Sequence, residues 1–398
     1  MNFPWRTRLL PFSLAAILLA HALLLYGLRL PALITLWLLL CVWLYRAGPA
    51  AALLTAFSIA SFTLLLNVLI SATGLEDSIY YRPHEKMKAD NADFGDTFKP
   101  GTQLSMKALF GDIEAFEKAG VKEPHEISYV TDSLGFRNPA DYHRQSFVLL
   151  GDSFLAGAND TQSCLITEQL RQHHGLDTYN LGFPGNMDEY VQRIRAFRKA
   201  KGNDFKMALF VFEGNDFYPF TNTPVKEKTF LKNYYAFFQE TSLWRYTRWL
   251  YLRTVKKESG RNSKPFVRKI GKEMVAFLSS EPPIAGNSNP LDESSLLFVD
   301  ALNMLKPNLV QIFFVPVKYR VYAKWLADKP LPTAQLDYLQ QAAKQAGIPV
   351  FDLTPALVQE AERLLPLDQY VYWRDDTHWN CNGMRAVTAP VASQLRLH

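Results

Sequence analysis

Hydrophobic residues are unevenly distributed along this chain, and their pattern divides it into two regions. The first 72 residues are almost wholly apolar, whereas the remainder alternates short apolar runs with mixed segments. Short apolar runs bounded by turn residues are typical of buried strands, and apolar residues at helical spacing are typical of amphipathic helices. The pattern predicts an apolar N-terminal region followed by an ordinary α/β domain.

The N-terminal region contains apolar runs that predict membrane-spanning helices at residues 9–28, 30–45 and 50–70. The first run carries no charge and is long enough to cross a hydrocarbon layer of roughly 30 Å. The middle run is short, so two spans are the alternative to three. Residues 1–73 are therefore predicted to be a transmembrane segment, followed by an extracytoplasmic lead-in at 74–145 and a catalytic domain at 146–398.

The basic residues that flank the apolar runs predict the orientation of the chain. Arg6, Arg8 and Arg46 would lie on the cytoplasmic side, and Arg29 on the other side. Three crossings from a cytoplasmic N-terminus place the remainder outside. We expect a multi-pass protein of the inner membrane, with its catalytic domain in the periplasm or outside the cell.

Beyond residue 145 the chain alternates apolar strands with amphipathic helices, the pattern of a parallel sheet with helices on both faces. The predicted strands are Phe147–Leu150, Asp177–Leu181, Lys206–Phe212, Leu309–Pro316 and Pro349–Phe351. The predicted helices are Thr161–His173, Met187–Lys201 and Thr333–Ala346. Nearly every strand ends in polar or glycine residues, so a ligand crevice is expected along the carboxyl edge of the sheet.

Ser153 is the candidate nucleophile, because Gly151-Asp152-Ser153 directly follows the first of these strands. A serine at the carboxyl end of a parallel strand lies where open α/β sheets bind ligands. A capping serine in a strand-to-helix turn is the alternative for this triplet taken alone. The choice depends on whether other strand ends supply a base and oxyanion donors.

Three further clusters supply such groups. Asn180–Gly185 follows the second strand, and Gly185 can expose a backbone N–H to a developing oxyanion. Glu213–Asp216 follows the third strand and offers the side-chain amide of Asn215. Of the eight histidines, only His378 has carboxylates both two and three positions before it, which makes it the candidate general base.

The order and wording of these clusters resemble the SGNH (GDSL-type) hydrolase family over residues 145–398. The blocks that carry the resemblance are Gly151–Phe154, Asn180–Gly185, Gly214–Asp216 and Asp375–His378. The resemblance implies a flavodoxin-like three-layer α/β/α sandwich in which Ser153 attacks an ester carbonyl and His378 shuttles the proton. It also implies that the oxyanion is bound by the backbone N–H groups of Ser153 and Gly185 and by the Asn215 amide.

Two neighbouring aspartates compete for the role of the acid that orients His378. The family's usual Asp-x-x-His spacing selects Asp375. The wording from Tyr372 to Trp379 is also similar to the alginate O-acetyltransferase branch, whose Asp-x-His spacing selects Asp376. Asp375 is favoured on the general spacing, and Asp376 is kept as the alternative.

A basic insertion at residues 217–297 separates the third strand from the fourth. Between Thr221 and Lys272 it carries thirteen Lys or Arg and three Glu, in a chain whose net charge is +5. Bases interleaved with aromatic residues can bind nucleic acid, but the expected extracytoplasmic location argues against a nucleic-acid partner. The insertion is interpreted as a helix on the membrane surface, a cleft wall for an acidic polysaccharide, or a solvated cover over the sheet.

The three cysteines are too few for a disulfide framework, and Cys41 lies within an apolar run. Cys164 and Cys381 flank the motif clusters and could pair in a disulfide, but their spacing carries no signature, so free buried thiols are favoured over a disulfide. No Cys/His cluster in the sequence has the spacing of zinc ligands, and no metal or cofactor is expected.

The sequence thus predicts a membrane-anchored serine esterase that acts on O-acetyl groups of a cell-surface polysaccharide through an acyl-serine intermediate. A polysaccharide O-acetyltransferase with the same residues is the first alternative, since the acyl group can pass to water or to a sugar hydroxyl. A lipid esterase and a non-catalytic glycan-binding or assembly protein are the others. The expected partners are the membrane, an acylated carbohydrate and polysaccharide-assembly proteins.

The predicted topology can be tested with a reporter that is active only in the periplasm. Fused after residue 398 of the full chain, the reporter should be active, because three crossings carry the C-terminus outward. A cytoplasm-active reporter at the same position is the control. A silent periplasmic reporter in a well-expressed fusion would contradict three spans.

Overall fold

The computed structural model of the chain describes residues 49–73, 75, 86–217, 241–247, 266–288, 295–326 and 330–398. Its strands are β1 (Lys88–Asn91), β2 (Gly95–Phe98), β3 (Gln103–Ala108), β4 (His125–Val130), β5 (Phe147–Leu150), β6 (Thr178–Asn180), β7 (Met207–Phe212), β8 (Phe266–Ile270), β9 (Glu273–Phe277), β10 (Leu309–Val315) and β11 (Val350–Asp352). Its α-helices are α1 (Pro49–Ala72), α2 (Asp112–Glu117), α3 (Ser153–Ala156), α4 (Ile166–His174), α5 (Met187–Lys201), α6 (Glu281–Ala285), α7 (Ser295–Leu305), α8 (Lys318–Val321), α9 (Ala323–Leu326), α10 (Ala334–Ala346), α11 (Thr354–Leu364) and α12 (Cys381–Leu395). Short 3₁₀ turns occupy Gln162–Cys164 and Leu365–Leu367.

Five parallel strands form the central sheet, in the order β6-β5-β7-β10-β11. Counted along the chain this is 2-1-3-4-5, the order of flavodoxin-like sheets, whose ligand crevice lies at the carboxyl ends of the strands. Neighbouring strands pair in parallel register, with Val148 opposite Met207 and Ile312 opposite Val350. The α/β class and the parallel sheet predicted from the hydrophobic pattern are confirmed.

Both faces of the sheet are buried. Successive residues of a strand point to opposite faces, so alternate residues belong to the same face. On one side, alternate residues of β5, β7 and β10 form a core with α4, α11 and α12: Phe147, Leu149, Ala208, Phe210, Phe313 and Val315. The intervening residues are equally buried. Helices α5, α7 and α10 contact one another and form a second helical layer. Each fully buried aliphatic or aromatic side chain contributes about 1.5–3 kcal/mol, which explains the near-continuous apolar runs of these strands.

The lead-in between residue 86 and the sheet contains two small antiparallel pairs, β1 with β2 and β3 with β4. The lead-in has a turn at Gly135 that packs closely against the end of β2, since a Cβ on Gly135 would lie 2.2 Å from the carbonyl oxygen of Phe98. The backbone of Gly135 also has a φ of +83°, in the left-handed region. The carbonyl of Gly135 accepts the N–H of Phe98 at 2.9 Å. The lead-in is thus built as a folded cover and not as a loose linker.

The chain divides into two compact units, Met1–Ile79 with Lys228–Asn262 and Tyr80–Glu227 with Ser263–His398. Every candidate site residue lies in the second unit. In the first unit, the backbone N–H of Leu243 donates to Asn67 Oδ1 on α1 at 3.0 Å. This part of the basic insertion therefore packs against the last predicted span. Residues 266–288, which the sequence places in the same insertion, instead form the β8–β9 hairpin and α6 in the second unit.

The membrane predictions concern mainly residues outside the described part of the chain. The spans predicted at 9–28 and 30–45 lie there, and the span predicted at 50–70 falls on α1. Within the described residues, no helix combines the length and apolar character that a membrane crossing requires.

Cys164 and Cys381 are joined in a disulfide, so the expectation of free thiols was wrong. The 3₁₀ turn that carries Cys164 packs against the first turn of α12, where Cys381 begins the helix. This proximity depends on the tertiary fold, because the two cysteines are 217 residues apart in sequence. The bond ties the segment after the candidate nucleophile to the segment after the candidate base.

Replacing the pair in a Cys164→Ser/Cys381→Ser variant should lower the free energy of unfolding of the full chain. A cross-link over 217 residues stabilises by about 5 kcal/mol when only the entropy of the unfolded chain is counted. Denaturant unfolding followed by circular dichroism measures the loss, and Cys41→Ser is the control. An unchanged unfolding midpoint in the double variant would contradict the prediction.

Candidate active site

Ser153 lies at the junction of β5 and α3, where the sheet delivers it to the carboxyl edge. Asp152 caps the helix by accepting the N–H of Phe154 at 2.8 Å, which fixes the turn. At the first helical position the backbone N–H of Ser153 has no intrahelical acceptor and is available to a ligand. Gly157 ends the helix in the left-handed region, and a Cβ there would lie 2.3 Å from Leu165. The serine side chain is partly exposed in an otherwise buried segment.

His378 contacts the serine directly, as the sequence predicts for a base. Its Nε2 lies 2.7 Å from Ser153 Oγ, and its Nδ1 lies 2.5 Å from Asp376 Oδ1. With a carboxylate on Nδ1, the proton of the neutral ring resides there and Nε2 accepts the serine O–H. The three side chains form a continuous proton path from the strand β5 terminus to the C-terminal loop.

Asp376 is completely buried and is held as an anion by several donors. Burial by itself would raise its pKa, but the positive charge of His378, the hydrogen bonds from His378 and the N–H of Asp112 outweigh burial and hold the pKa below its ordinary value. The N–H of Asp112 donates to Oδ2 at 2.8 Å, and the Asn159 amide donates to the same oxygen. Asp376 thus remains ionised through the pH range in which a histidine titrates.

Asp375, which the sequence spacing favoured as the orienting acid, does not contact His378 in this arrangement. Its Oδ2 instead accepts the backbone N–H groups of Gly111 at 2.8 Å and Glu123 at 2.9 Å. Burial raises the pKa of Asp375 to about 7, with the neighbouring charge of Asp376 acting in the same direction. The preference for Asp375 was wrong because its side chain is committed to the lead-in, which leaves Asp376 facing the imidazole.

The lead-in holds the loop at Arg374–His378 through the first turn of α2. The carbonyl of Asp375 accepts the N–H of Ile113 at 3.0 Å, and Glu123 Oε2 accepts the N–H of Arg374 at 2.6 Å. Helix N-termini favour negative charge because their first N–H groups lack intrahelical acceptors. Sequence reasoning treated residues 74–145 as packing material, and no local signal marked these donors as part of the site.

Gly111 is required at this contact for steric reasons. A Cβ on Gly111 would lie 2.5 Å from the carbonyl oxygen of Asp375 and 2.6 Å from the Cβ of Asp376. Its φ of −87° is an ordinary value, so the demand comes from the close approach and not from the backbone conformation. The absence of a side chain lets the helix terminus reach the two aspartates.

Lys318 supports the same loop from the opposite side, and it too was missed as a site residue. Its fully buried ammonium donates to the carbonyl oxygens of Ala276, Trp373, Arg374 and Asp376 at distances of 2.6–3.1 Å. Burial lowers its pKa to about 8, against the raising effect of the Glu281 carboxylate. An ammonium has three protons to donate, and three of these four acceptors are carbonyl groups of the loop. Lys318 therefore stabilises the loop backbone.

Arg137 stabilises the backbone of the segment that carries Ser153 in the same way. Its guanidinium is fully buried and donates to the carbonyl oxygens of Ala156 and Gly157, at the end of α3, and to that of Asp160. It also lies 3.6 Å from the centre of the Tyr129 ring, a distance suited to a cation–π contact. The turn that follows Ser153 is therefore fixed by a residue of the lead-in.

Two of the three predicted oxyanion residues, Gly185 and Asn215, lie next to each other. The Asn215 side-chain amide donates to the carbonyl of Gly185 at 2.8 Å. Buried Arg193 donates to Pro184 O at 2.8 Å and to Gly151 O at 3.2 Å, which ties this turn to the strand end that precedes Ser153. A Cβ on Gly185 would lie 2.6 Å from the Arg193 guanidinium, so this position accommodates only glycine.

Three side chains of the site are also of the kind that binds metal ions. Asp112, Asp376 and His378 each offer one ligand atom, and these atoms lie within 4.8 Å of one another. Both ring nitrogens of His378 are already within hydrogen-bonding distance of Asp376 and Ser153, and Asp112 accepts two hydrogen bonds from Thr377. The donor set fits a proton relay better than a metal centre.

The two aspartates should separate clearly in mutants of the full chain. Asp376→Asn should lower kcat for an activated acetyl ester by roughly 10³–10⁴-fold, because an amide no longer holds the reactive tautomer of His378. Asp375→Asn should retain most of kcat, since an amide oxygen can still accept the Gly111 and Glu123 N–H groups. The reverse ranking would show that the orienting acid is Asp375.

Part of this chain is similar to a known protein family. Residues 288–398 match the family model described as the SGNH hydrolase-like domain of acetyltransferase AlgX. The matched part contains Asp376, His378 and Lys318, and Ser153 precedes it. No curated protein matches the chain. One crystal structure aligns with 64% of this chain and 97% of its own at 15% identity and a TM-score of 0.32, too low to carry an argument. The family match confirms the resemblance of this chain to the SGNH hydrolases, with similarity to acetyltransferase AlgX.

Proposed function

We propose that this protein is an SGNH-type serine esterase that acts on O-acetyl esters of a cell-surface polysaccharide. The observation that carries the proposal is the continuous contact from Ser153 Oγ through His378 to the Asp376 carboxylate. A nucleophile, a base and an orienting acid in hydrogen-bonding reach of one another are the signature of acyl transfer through a covalent intermediate. A glycan-binding protein has no use for this arrangement.

The first half-reaction forms an acyl-serine. Ser153 Oγ attacks the ester carbonyl while His378 Nε2 takes its proton, and buried Asp376 stabilises the imidazolium that results. The developing oxyanion would be bound by the backbone N–H groups of Ser153 and Gly185 and by the Asn215 amide. The tetrahedral species collapses as His378 returns the proton to the departing sugar oxygen, which leaves acetyl-Ser153.

The second half-reaction decides the type of enzyme. In the esterase, water gives its proton to His378, attacks acetyl-Ser153 and releases acetate. In a polysaccharide O-acetyltransferase, a sugar hydroxyl takes the place of water. This second candidate is favoured by one observation, the match of residues 288–398 to the domain of acetyltransferase AlgX. Both enzymes share the acyl-serine and differ in the acceptor.

We propose further that the protein is anchored in the inner membrane, with the catalytic unit in the periplasm. The disulfide between Cys164 and Cys381 supports this location, because such bonds persist in oxidising compartments. The uncharged run at residues 9–28 supports the anchor. The hydrogen bond from the backbone N–H of Leu243 to Asn67 supports the interpretation of the basic insertion as a helix on the membrane surface over that of a cleft wall.

The nucleophile is tested by Ser153→Ala in the full-length protein. Turnover of 4-nitrophenyl acetate should fall by roughly 10³-fold or more, since the acyl-enzyme can no longer form. A serine-directed phosphonate should label the wild type at Ser153 and leave the variant unlabelled. Matching unfolding transitions of the two proteins are the control, and retained turnover by the variant would refute the mechanism.

The acceptor is identified by following the acetyl group of the same ester donor in the presence of a deacetylated acidic polysaccharide. Acetate alone would support the esterase, and acetylated polysaccharide would support the transferase. Fatty acid released from phospholipid, with no acetate released from acetylated polysaccharide, would favour the lipid esterase that the sequence left open.

A further inference from the structure

A second carboxylate lies beside the imidazole that the proposed reaction uses. Asp112 Oδ2 is 4.0 Å from His378 Nδ1, on the same side of the ring as Asp376. Its side chain is only 4% exposed, and that of His378 only 7%. Water therefore screens this pair weakly, and the charge of Asp112 acts on the ring through a medium of low polarisability.

Asp112 is held in place by the residue that precedes the histidine. Its Oδ1 accepts the backbone N–H of Thr377 at 2.8 Å, and its Oδ2 accepts the Thr377 hydroxyl at 2.7 Å. Its own backbone N–H donates to Asp376 Oδ2 at 2.8 Å. Asp112 thus contacts the loop both at Asp376 and directly after it, and its position relative to the ring is fixed by three hydrogen bonds.

We propose that Asp112 is a positioning residue that acts as a second carboxylate on His378, favouring the imidazolium that forms when Ser153 gives up its proton. The role of His378 as base rests on the function proposed above, whereas the electrostatic contact between Asp112 and the ring does not. His378 would then have two carboxylates beside it: Asp376 accepts the hydrogen bond of its Nδ1–H, and Asp112 adds negative charge and fixes the Thr377–His378 turn.

The other charged groups around His378 come from several elements. Asp376 lies on its own loop, Asp152 precedes α3, Asp160 follows α3, and all three interact electrostatically with the ring. Lys318 approaches from α8 and bonds the carbonyl of Asp376. Burial raises the pKa of Asp160 to about 8 and that of Asp152 to about 6. A test must therefore change Asp112 alone and observe the ring itself.

The measurement is an NMR titration of the His378 ring in the full-length protein, assigned by its loss in His378→Gln. In Asp112→Asn the midpoint should fall by about 1 pH unit or more, because a nearby opposite charge favours the protonated ring. Asp112→Ser, a second neutral variant, should shift the midpoint in the same direction. An unchanged midpoint in either folded variant would overturn the proposal.

Two control variants separate charge from structure. Glu117→Gln removes another buried carboxylate of α2, one that bonds Ser279 and not His378, and should leave the midpoint unchanged. Thr377→Val removes the hydroxyl contact but keeps the Asp112 charge, and should also leave it nearly unchanged. A shift of the same size in Thr377→Val would show that Asp112 serves only to hold the turn.

The catalytic consequence is read separately from the pH profile of kcat/KM with 4-nitrophenyl acetate. In Asp112→Asn the acidic limb should move to lower pH by the same amount as the NMR midpoint, with a roughly tenfold lower plateau and little change in KM. If the wild type shows no Ser153-dependent turnover, the proposed function fails, yet the titration still decides the contact between Asp112 and His378.

Discussion

The site depends on the contact between the first turn of α2 and the loop at Arg374–His378. Backbone N–H groups of the helix terminus donate to both of the adjacent aspartates, which offsets part of the free-energy cost of burying the two carboxylates. Asp375 accepts the N–H groups of Gly111 and Glu123, whereas Asp376 contacts the imidazole of His378. The geometry of the relay therefore follows from how the loop is held and not from the local order Asp-Asp-Thr-His.

Two buried cations provide hydrogen-bond donors for the backbone of the site. Lys318 gathers carbonyl oxygens of the base loop, and Arg137 gathers those of the turn after the nucleophile. Carbonyl groups in an irregular buried segment need donors, and a charged donor makes stronger bonds than a neutral one. Both halves of the relay are thus supported by cations whose own burial is offset by these bonds.

The sequence predicted the framework well, because the relevant signals are local. Buried strands read as apolar runs, and the clusters that end three of them contain Ser153, Gly185 and Asn215. His378 lies in a loop after α11 and was marked by the two aspartates before it. The errors arose where tertiary contacts decide. The sequence near Asp375 does not show that its side chain accepts the N–H groups of Gly111 and Glu123. The spacing of Cys164 and Cys381 does not show that they form a disulfide. Nothing in the sequence assigned a role to Asp112, Lys318 or Arg137, since their roles depend on the groups that the fold brings to them.

The contact between Gly111 and Asp375 joins residues 264 positions apart, which has a consequence for the biogenesis of the protein. A nascent chain can form β5 and the Ser153 turn early. The loop at Arg374–His378 can bind to the α2 terminus only once nearly all of the polypeptide has been made. Loop closure over such a distance comes late in folding, because its entropic cost must be met by contacts already made. Reactivity therefore arises only in the finished chain, and a truncated or stalled product carries an exposed serine with no base to activate it.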